Sequence, residues 1–149
     1  MKFNFWSPLG TFAIVAFDEI YFLTSGQCKT VSPKAGTVTS TVGSDAILKW
    51  TFTNGEMAVG MKVFNGTNEL WTRRAGLSDL AKQLFGNRLS VDSSEDNEVV
   101  VMLKNTSLAD SGMTFNLTGA FLEGIFVEQF QQNGIKLIVQ GRCVLKINL

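Results

Sequence analysis

The stretch "LADSGMTFNL", Leu108 to Leu117, decides the fold. Asp110-Ser111-Gly112 has turn chemistry: Asp and Ser side chains bond to nearby backbone, and Gly accepts angles closed to other residues. Behind the turn, Phe115 and Leu117 stand two apart with Asn116 between them, a spacing that puts both on one face of a β-strand.

Outward from this stretch the chain repeats the same pattern of short alternating runs between turn residues, with two prolines and no long helical periodicity. That pattern predicts an all-β antiparallel sandwich. "DAILKWTF" (45–52) sets Ala46, Leu48, Trp50 and Phe52 against Asp45, Ile47, Lys49 and Thr51, a strand with one face in the core. "VSPKAGTVTSTVG" (31–43) reads as an edge strand, since Pro33 has no N–H for a ladder. "MAVGMKVF", expected to point Val59, Met61 and Val63 inward, and "ELWTRR" flank Asn65-Gly66-Thr67-Asn68. Asn-Gly in that setting predicts a hairpin. "LSDLAKQLF" (77–85) predicts about two turns of helix capped by Ser78, with Leu77, Leu80, Ala81 and Leu84 as its apolar face. "RLSVDSS" and "EVVVMLKN" form a further hairpin, and "MTFNLTGAF" and "IKLIVQG" a last pair joined by "LEGIFVEQFQQNG". The expectation is eight or nine strands and one short helix.

A chain of 149 residues, 45% hydrophobic and 17% charged, has the apolar area for one packed core. Its 13 basic residues balance 13 acidic ones and are scattered, so nucleic acid is not an expected partner. Histidine is absent, which removes the usual general base and the commonest zinc ligand. Without a nucleophile elbow, metal cluster or phosphate loop either, no enzyme activity and no cofactor are expected. Residues 1–26 read as a secretory signal, with Lys2, an apolar stretch and small Thr24 and Gly26, although Asp18-Glu19 interrupts it; an extra strand or helix is the alternative. Sequons at Asn65, Asn105 and Asn116 are glycosylation candidates and lean the same way, towards an extracellular protein. The organisation expected is a signal (1–26), one domain (27–141) and a short tail or truncated linker (142–149).

Over about residues 28–141 the order of these signals resembles a variable-type (V-set) domain of the immunoglobulin superfamily. Gly43-Ser44-Asp45-Ala46-Ile47-Leu48-Lys49-Trp50 is similar to the family's strand B, Gly-x-x-Val-x-Leu-x-Cys, with Trp50 where the first Cys belongs. Gly134-Ile135-Lys136-Leu137-Ile138-Val139 is similar to its strand G, Gly-Thr-x-Leu-x-Val, and Val99, Val101 and Leu103 match strand E, although Thr106 follows where an apolar residue is usual. "FGNRLSV" resembles the start of strand D, and "LADSGMTFNL" resembles the Asp-x-Gly/Ala-x-Tyr-x-Cys of strand F. The resemblance implies an ion pair between Arg88 and Asp110. It also implies a one-residue insertion in strand F, with Phe115 in the tyrosine place and Leu117 in the place of the second Cys. Trp50 then fills the space of the missing cystine and strand C tryptophan: a lost disulfide costs about 2 to 5 kcal/mol, and burying an indole contributes about 5 kcal/mol before entropy. Cys28 and Cys143 would lie at opposite ends of parallel strands, ~30 Å apart, beyond the reach of an intradomain bond. They are either free to pair with another chain or incidental.

The implied architecture is a V-type Greek-key β-sandwich without the usual disulfide. The segments "DSG-x-TF" and Val139-Gln140-Gly141 are similar to cnidarian-type, allorecognition-like cell-surface receptors. This resemblance implies an extracellular recognition or adhesion domain that binds a protein partner, homophilic binding included. The alternatives are a structural module of a truncated multi-domain receptor without binding of its own, and a secreted lectin-like sandwich. In "AFLEGIFVEQF", Phe121, Leu122, Ile125, Phe126, Val127 and Phe130 cannot all point inward from a hairpin. Either some of them form an exposed apolar patch, or alternate ones extend the strands into the core. Phe64 and Trp71 on the earlier hairpin stand between the same two roles.

Overall fold

The structure is a computed structural model that describes residues 3–6, 11–16, 19–24, 31–52, 59–95, 98–123, 126–131 and 134–142, the side chains of 3–24, Glu123, Phe126 and Gln131 excepted. Three short strands, β1 (Phe3–Trp6), β2 (Thr11–Ala16) and β3 (Glu19–Thr24), pair in that order as an antiparallel sheet. They occupy the segment whose sequence reads as a signal, with an extra strand or helix as the alternative.

Two further sheets face each other across one core. In chain order their strands are β4 (Val31–Ser32), β5 (Gly36–Thr41), β6 (Ala46–Phe52), β7 (Val59–Asn65), β8 (Asn68–Thr72), β9 (Gly76–Leu77), β10 (Leu89–Asp92), β11 (Glu98–Leu103), β12 (Thr114–Glu123), β13 (Phe126–Gln131) and β14 (Ile135–Gln140). The small sheet runs β10-β11-β6-β4 and the large one β5-β14-β12-β7-β8-β9, with β13 paired to β12. The architecture is an all-β sandwich with one short α-helix, α1 (Asp79–Phe85). Eleven strands rather than eight or nine arise because the first expected strand divides in two, a two-residue β9 precedes the helix, and β13 forms within the last connection.

The division of the first strand has a local cause. Val31 pairs with Phe52 in the small sheet and Gly36 pairs with Ile135 in the large one, so the chain changes sheets across Pro33, which has no N–H to leave unpaired. Alternation governs the inner strands as expected: β6 buries Ala46, Leu48, Trp50 and Phe52, and β11 buries Val99, Val101 and Leu103. The large sheet contributes Met61, Val63, Phe115, Leu117, Ile135, Leu137 and Val139 from its facing side. Each full burial of this kind contributes about 1.5–3 kcal/mol, which is what joins the sheets.

One expectation holds and one needs correcting. The β7–β8 hairpin forms around Asn65-Gly66-Thr67-Asn68 as expected, with Asn65 paired to Asn68 and Gly66-Thr67 as the two-residue loop. Gly66 takes the positive φ (+59°) and Thr67 does not, the pattern of a II′ turn. In α1 the buried residues are Ala81 and Phe85, whereas Leu80 and Leu84 are exposed. A helix this short meets the sandwich through one i, i+4 pair, and the Phe85 ring, 6.4 Å from that of Phe115, takes the place expected of the leucines. The Ser78 cap is present: its Oγ accepts from the Ala81 N–H (3.1 Å) and donates to the Glu69 carbonyl (2.8 Å), tying the helix to β8.

The stretch from Leu108 to Leu117 forms a closed corner and the start of β12. Leu108–Asp110 is one 3-10 turn, capped reciprocally by Ser107 and Asp110. The buried Asp110 Oδ2 accepts from Arg88 Nη2 (2.5 Å), the Ser107 N–H (2.7 Å) and Ser107 Oγ (3.0 Å). Arg88 also donates from Nε to the Lys104 carbonyl (3.2 Å), so its fork serves two partners rather than both carboxylate oxygens. Beyond the turn the Gly112 N–H donates to Leu137 and the Leu137 N–H donates to Met113, and Phe115 and Leu117 then enter the core fully buried. Thr106 is buried with its hydroxyl 2.8 Å from the Ser44 carbonyl, 3.1 Å from that of Thr41 and 3.2 Å from Ser40 Oγ. A polar residue is therefore tolerated there because its hydroxyl is satisfied.

Candidate protein-interaction surface

β12 and β13 project as a hairpin whose register runs from Thr118↔Gln131 to Glu123↔Phe126. Paired residues share a face, so parity sorts the hairpin's side chains into two sets. On the inner face Phe121 is buried and Phe130 is half-buried, and with Phe52 they form a ring cluster with centroids 5.0–6.1 Å apart. Phe130 reaches this cluster across Gly119, its cross-strand partner: a Cβ at position 119 would lie 2.9 Å from Phe130 Cζ. The missing side chain makes the space for the ring.

The outer face carries what the core leaves over. Leu122 and Val127 form a cross-strand pair that is 51% and 59% exposed. One step inward, Ala120 pairs with Gln129 on one side and with Val59, also exposed, on the other. From there an open groove of about 440 Å³ runs along the sheet, lined by Lys62, Phe64, Thr118, Ala120, Gln129 and Phe130 among others. Lys62 and Glu69, both solvent-facing, pair at 2.7 Å across β7 and β8 and make that side polar. An apolar tip with a polar flank results.

The expected interface residues divide accordingly. Leu122 is exposed, and Phe64 is half-buried on the outer face. Phe121 and Trp71 are core residues, each with 5% exposure or less, so neither is available to a partner. Phe130 is half-buried: it packs on the core through the ring cluster and also lines the groove. Trp71 turns inward beside the equally buried Leu70 because a bulge between Val63 and Phe64 breaks the alternation across the hairpin. Ile125 and the side chain of Phe126 lie outside the described residues, as do Cys28 and Cys143. Of the sequons, Asn105 is exposed, Asn65 sits half-buried beside the β7–β8 turn, and Asn116 is half-buried on the outer face, paired with Phe64.

Val59 reverses its expected direction. Strict alternation would put it on the inner side with Met61, but Gly60 between them adopts a positive φ (+61°) and the register with β12 shifts between Thr118 and Ala120. The conformation open to glycine lets the strand rotate before it reaches the core. The signal was present in "AVGMK" as a glycine inside a strand pattern. Among the described residues no three His, Cys, Asp or Glu side chains group to hold a metal ion. Comparison of the sequence with protein-family models finds no match, and neither does comparison with curated proteins.

Proposed function

We propose that residues 27–141 are a V-type immunoglobulin-like domain that serves as an extracellular recognition module, binding a protein partner with the outer face of its large sheet at the β12–β13 tip. What supports the fold reading is strand order. β10-β11-β6-β4 opposite β5-β14-β12-β7-β8-β9 corresponds to strands D-E-B-A opposite A′-G-F-C-C′-C″ of that family, with the first strand divided between sheets. The Arg88–Asp110 pair and the burial of Trp50 and Leu117 accord with it. What supports an extracellular setting is the apolar segment at 1–26 together with the three sequons.

The observation that carries the binding reading is the exposed pair Leu122 and Val127, continuous with Val59 and the groove beside Phe64. Apolar side chains gathered at one tip and flanked by polar ones have the anatomy of an interface centre with its rim. Their removal from water on binding is worth on the order of 1 kcal/mol each, since about half of each is exposed already.

Photo-crosslinking tests this reading. With a benzophenone at position 127, the full chain should form a discrete adduct with a surface protein of the cells that produce it, or with its own kind. Unlabelled wild-type chain should compete the adduct away, and the double variant Leu122→Asp, Val127→Asp should not. A label at Leu84, exposed on the helix, serves as the control. The reading fails if the two labels give the same adducts or if the double variant competes as well as wild type.

A further inference from the structure

We propose that β13 is an open pairing edge and that its occupant is the β13 of a second copy of this chain, antiparallel and centred on Gln129. The inference rests on the proposed recognition role and names the partner at the same tip.

Sheet edges left open invite pairing, and proteins blunt them with short strands, prolines or charges. Among the described residues β4 and β9 are two residues long, with Pro33 directly after β4, and β10 is four residues long and ends in Asp92. Outside the β1–β3 sheet, two six-residue edges remain, β5 and β13. β5 shows the solvent Thr37, Thr39 and Thr41, and the Thr41 carbonyl already accepts from the Ser44 N–H. β13 differs on each count. Val127, Glu128 and Gln129 are exposed in succession, so over these three residues the strand is open to solvent on both faces, and no described strand lies beyond it. It has no proline and no lysine, and its exposed apolar residue adjoins Leu122.

Symmetry then selects the occupant's register. Two identical strands pair antiparallel about a two-fold axis normal to the sheet, and residues that face each other share a side. Only registers centred on Glu128 or Gln129 pair five residues of each strand. The first sets two Glu128 carboxylates against each other, which is unfavourable. The second sets amide against amide at Gln129 and Glu128 against Phe130, with no like charges opposed. It also brings the Leu122–Val127 tips of both copies onto one face of a continuous sheet. A formal net charge of zero leaves no global repulsion between copies. A ladder this short lies at the small end of interfaces, so the dimer is a weak, reversible one.

Sedimentation of the full chain from low to high micromolar concentration tests this, with Gln129→Lys and Gln129→Glu as variants. Wild type should dimerise reversibly. Each variant alone opposes like charges at the two-fold axis and should weaken association by about tenfold or more. An equimolar mixture of the two sets Lys against Glu and should recover the dimer. Gln129 is exposed, so both variants should melt like wild type. A wild type that stays monomeric overturns the proposal, whether the edge is vacant or covered by the chain's own residues 3–24. So does a dimer indifferent to Gln129→Lys, or a mixture that stays monomeric. If the chain is monomeric while position 127 still crosslinks a different protein, the self-pairing fails and the recognition reading stands. If neither occurs, both fail.

Discussion

Trp50 holds the centre of the core at a cost to itself. Its indole is fully buried and its Nε1–H has no acceptor among the described residues. An orphaned donor of this kind costs about 1–3 kcal/mol. Trp50→Phe removes that donor while keeping most of the ring, so its cavity penalty and its relief should nearly cancel, for a net loss under about 1 kcal/mol. Trp50→Ala removes the donor too but opens a far larger cavity, and should lose about 3–5 kcal/mol. Urea unfolding of the two variants checks this; a Trp50→Phe loss well above about 1 kcal/mol would mean that the indole N–H is bonded after all. At this scale the sequence was largely readable. Trp50, Phe115 and Leu117 are buried because period-two alternation is a property of the strand itself. Phe121 and Trp71 stayed ambiguous because an aromatic residue suits a core and an interface equally, and only register decides between them. The division of Arg88 between Asp110 and the Lys104 carbonyl is likewise a matter of angle that residue identity does not fix.

At the scale of elements, α1 shows how a local signal and a tertiary one can part. Its cap was legible, since Ser at the N-cap answers the free N–H groups of the first turn whatever the helix packs against. Its buried face was not, because Leu80 and Leu84 are as apolar as Phe85, and the sandwich accepts the one ring that reaches Phe115. Ser78→Ala should cost about 1–2 kcal/mol, as the cap and the bond to Glu69 vanish together. Chemical denaturation measures it, and an unchanged midpoint would mean that Ala81 and Phe85 hold the helix alone. β7 makes the complementary point: one glycine turned Val59 outward and moved it from the core to the candidate surface. The β12–β13 hairpin satisfied both readings of its sequence, with Phe121 and Phe130 joining the core and Leu122 and Val127 left outside.

For the whole molecule, the sandwich was legible because most of its strands carry their own alternation, and sheet membership was not, because it depends on long-range pairing. The change of sheet after Val31–Ser32 has a further consequence. β5 and β14 pair in parallel over six positions, from Gly36↔Ile135 to Thr41↔Gln140. Tension drawn from the leading end of β5 to the trailing end of β14 runs along both strands in opposite senses and strains all their cross-strand bonds at once. Tension applied between Lys62 and Thr72, which face each other on β7 and β8, opens bonds one after another. Single-molecule pulling between positions 36 and 140 should therefore rupture at a markedly higher force than pulling between 62 and 72, and equal forces would discount the parallel pair as a clamp. Resistance to mechanical load, as distinct from resistance to heat or denaturant, is set by the rate of forced opening. The parallel pair should thus make the sandwich stronger under tension along β5 and β14 than across its β7–β8 hairpin.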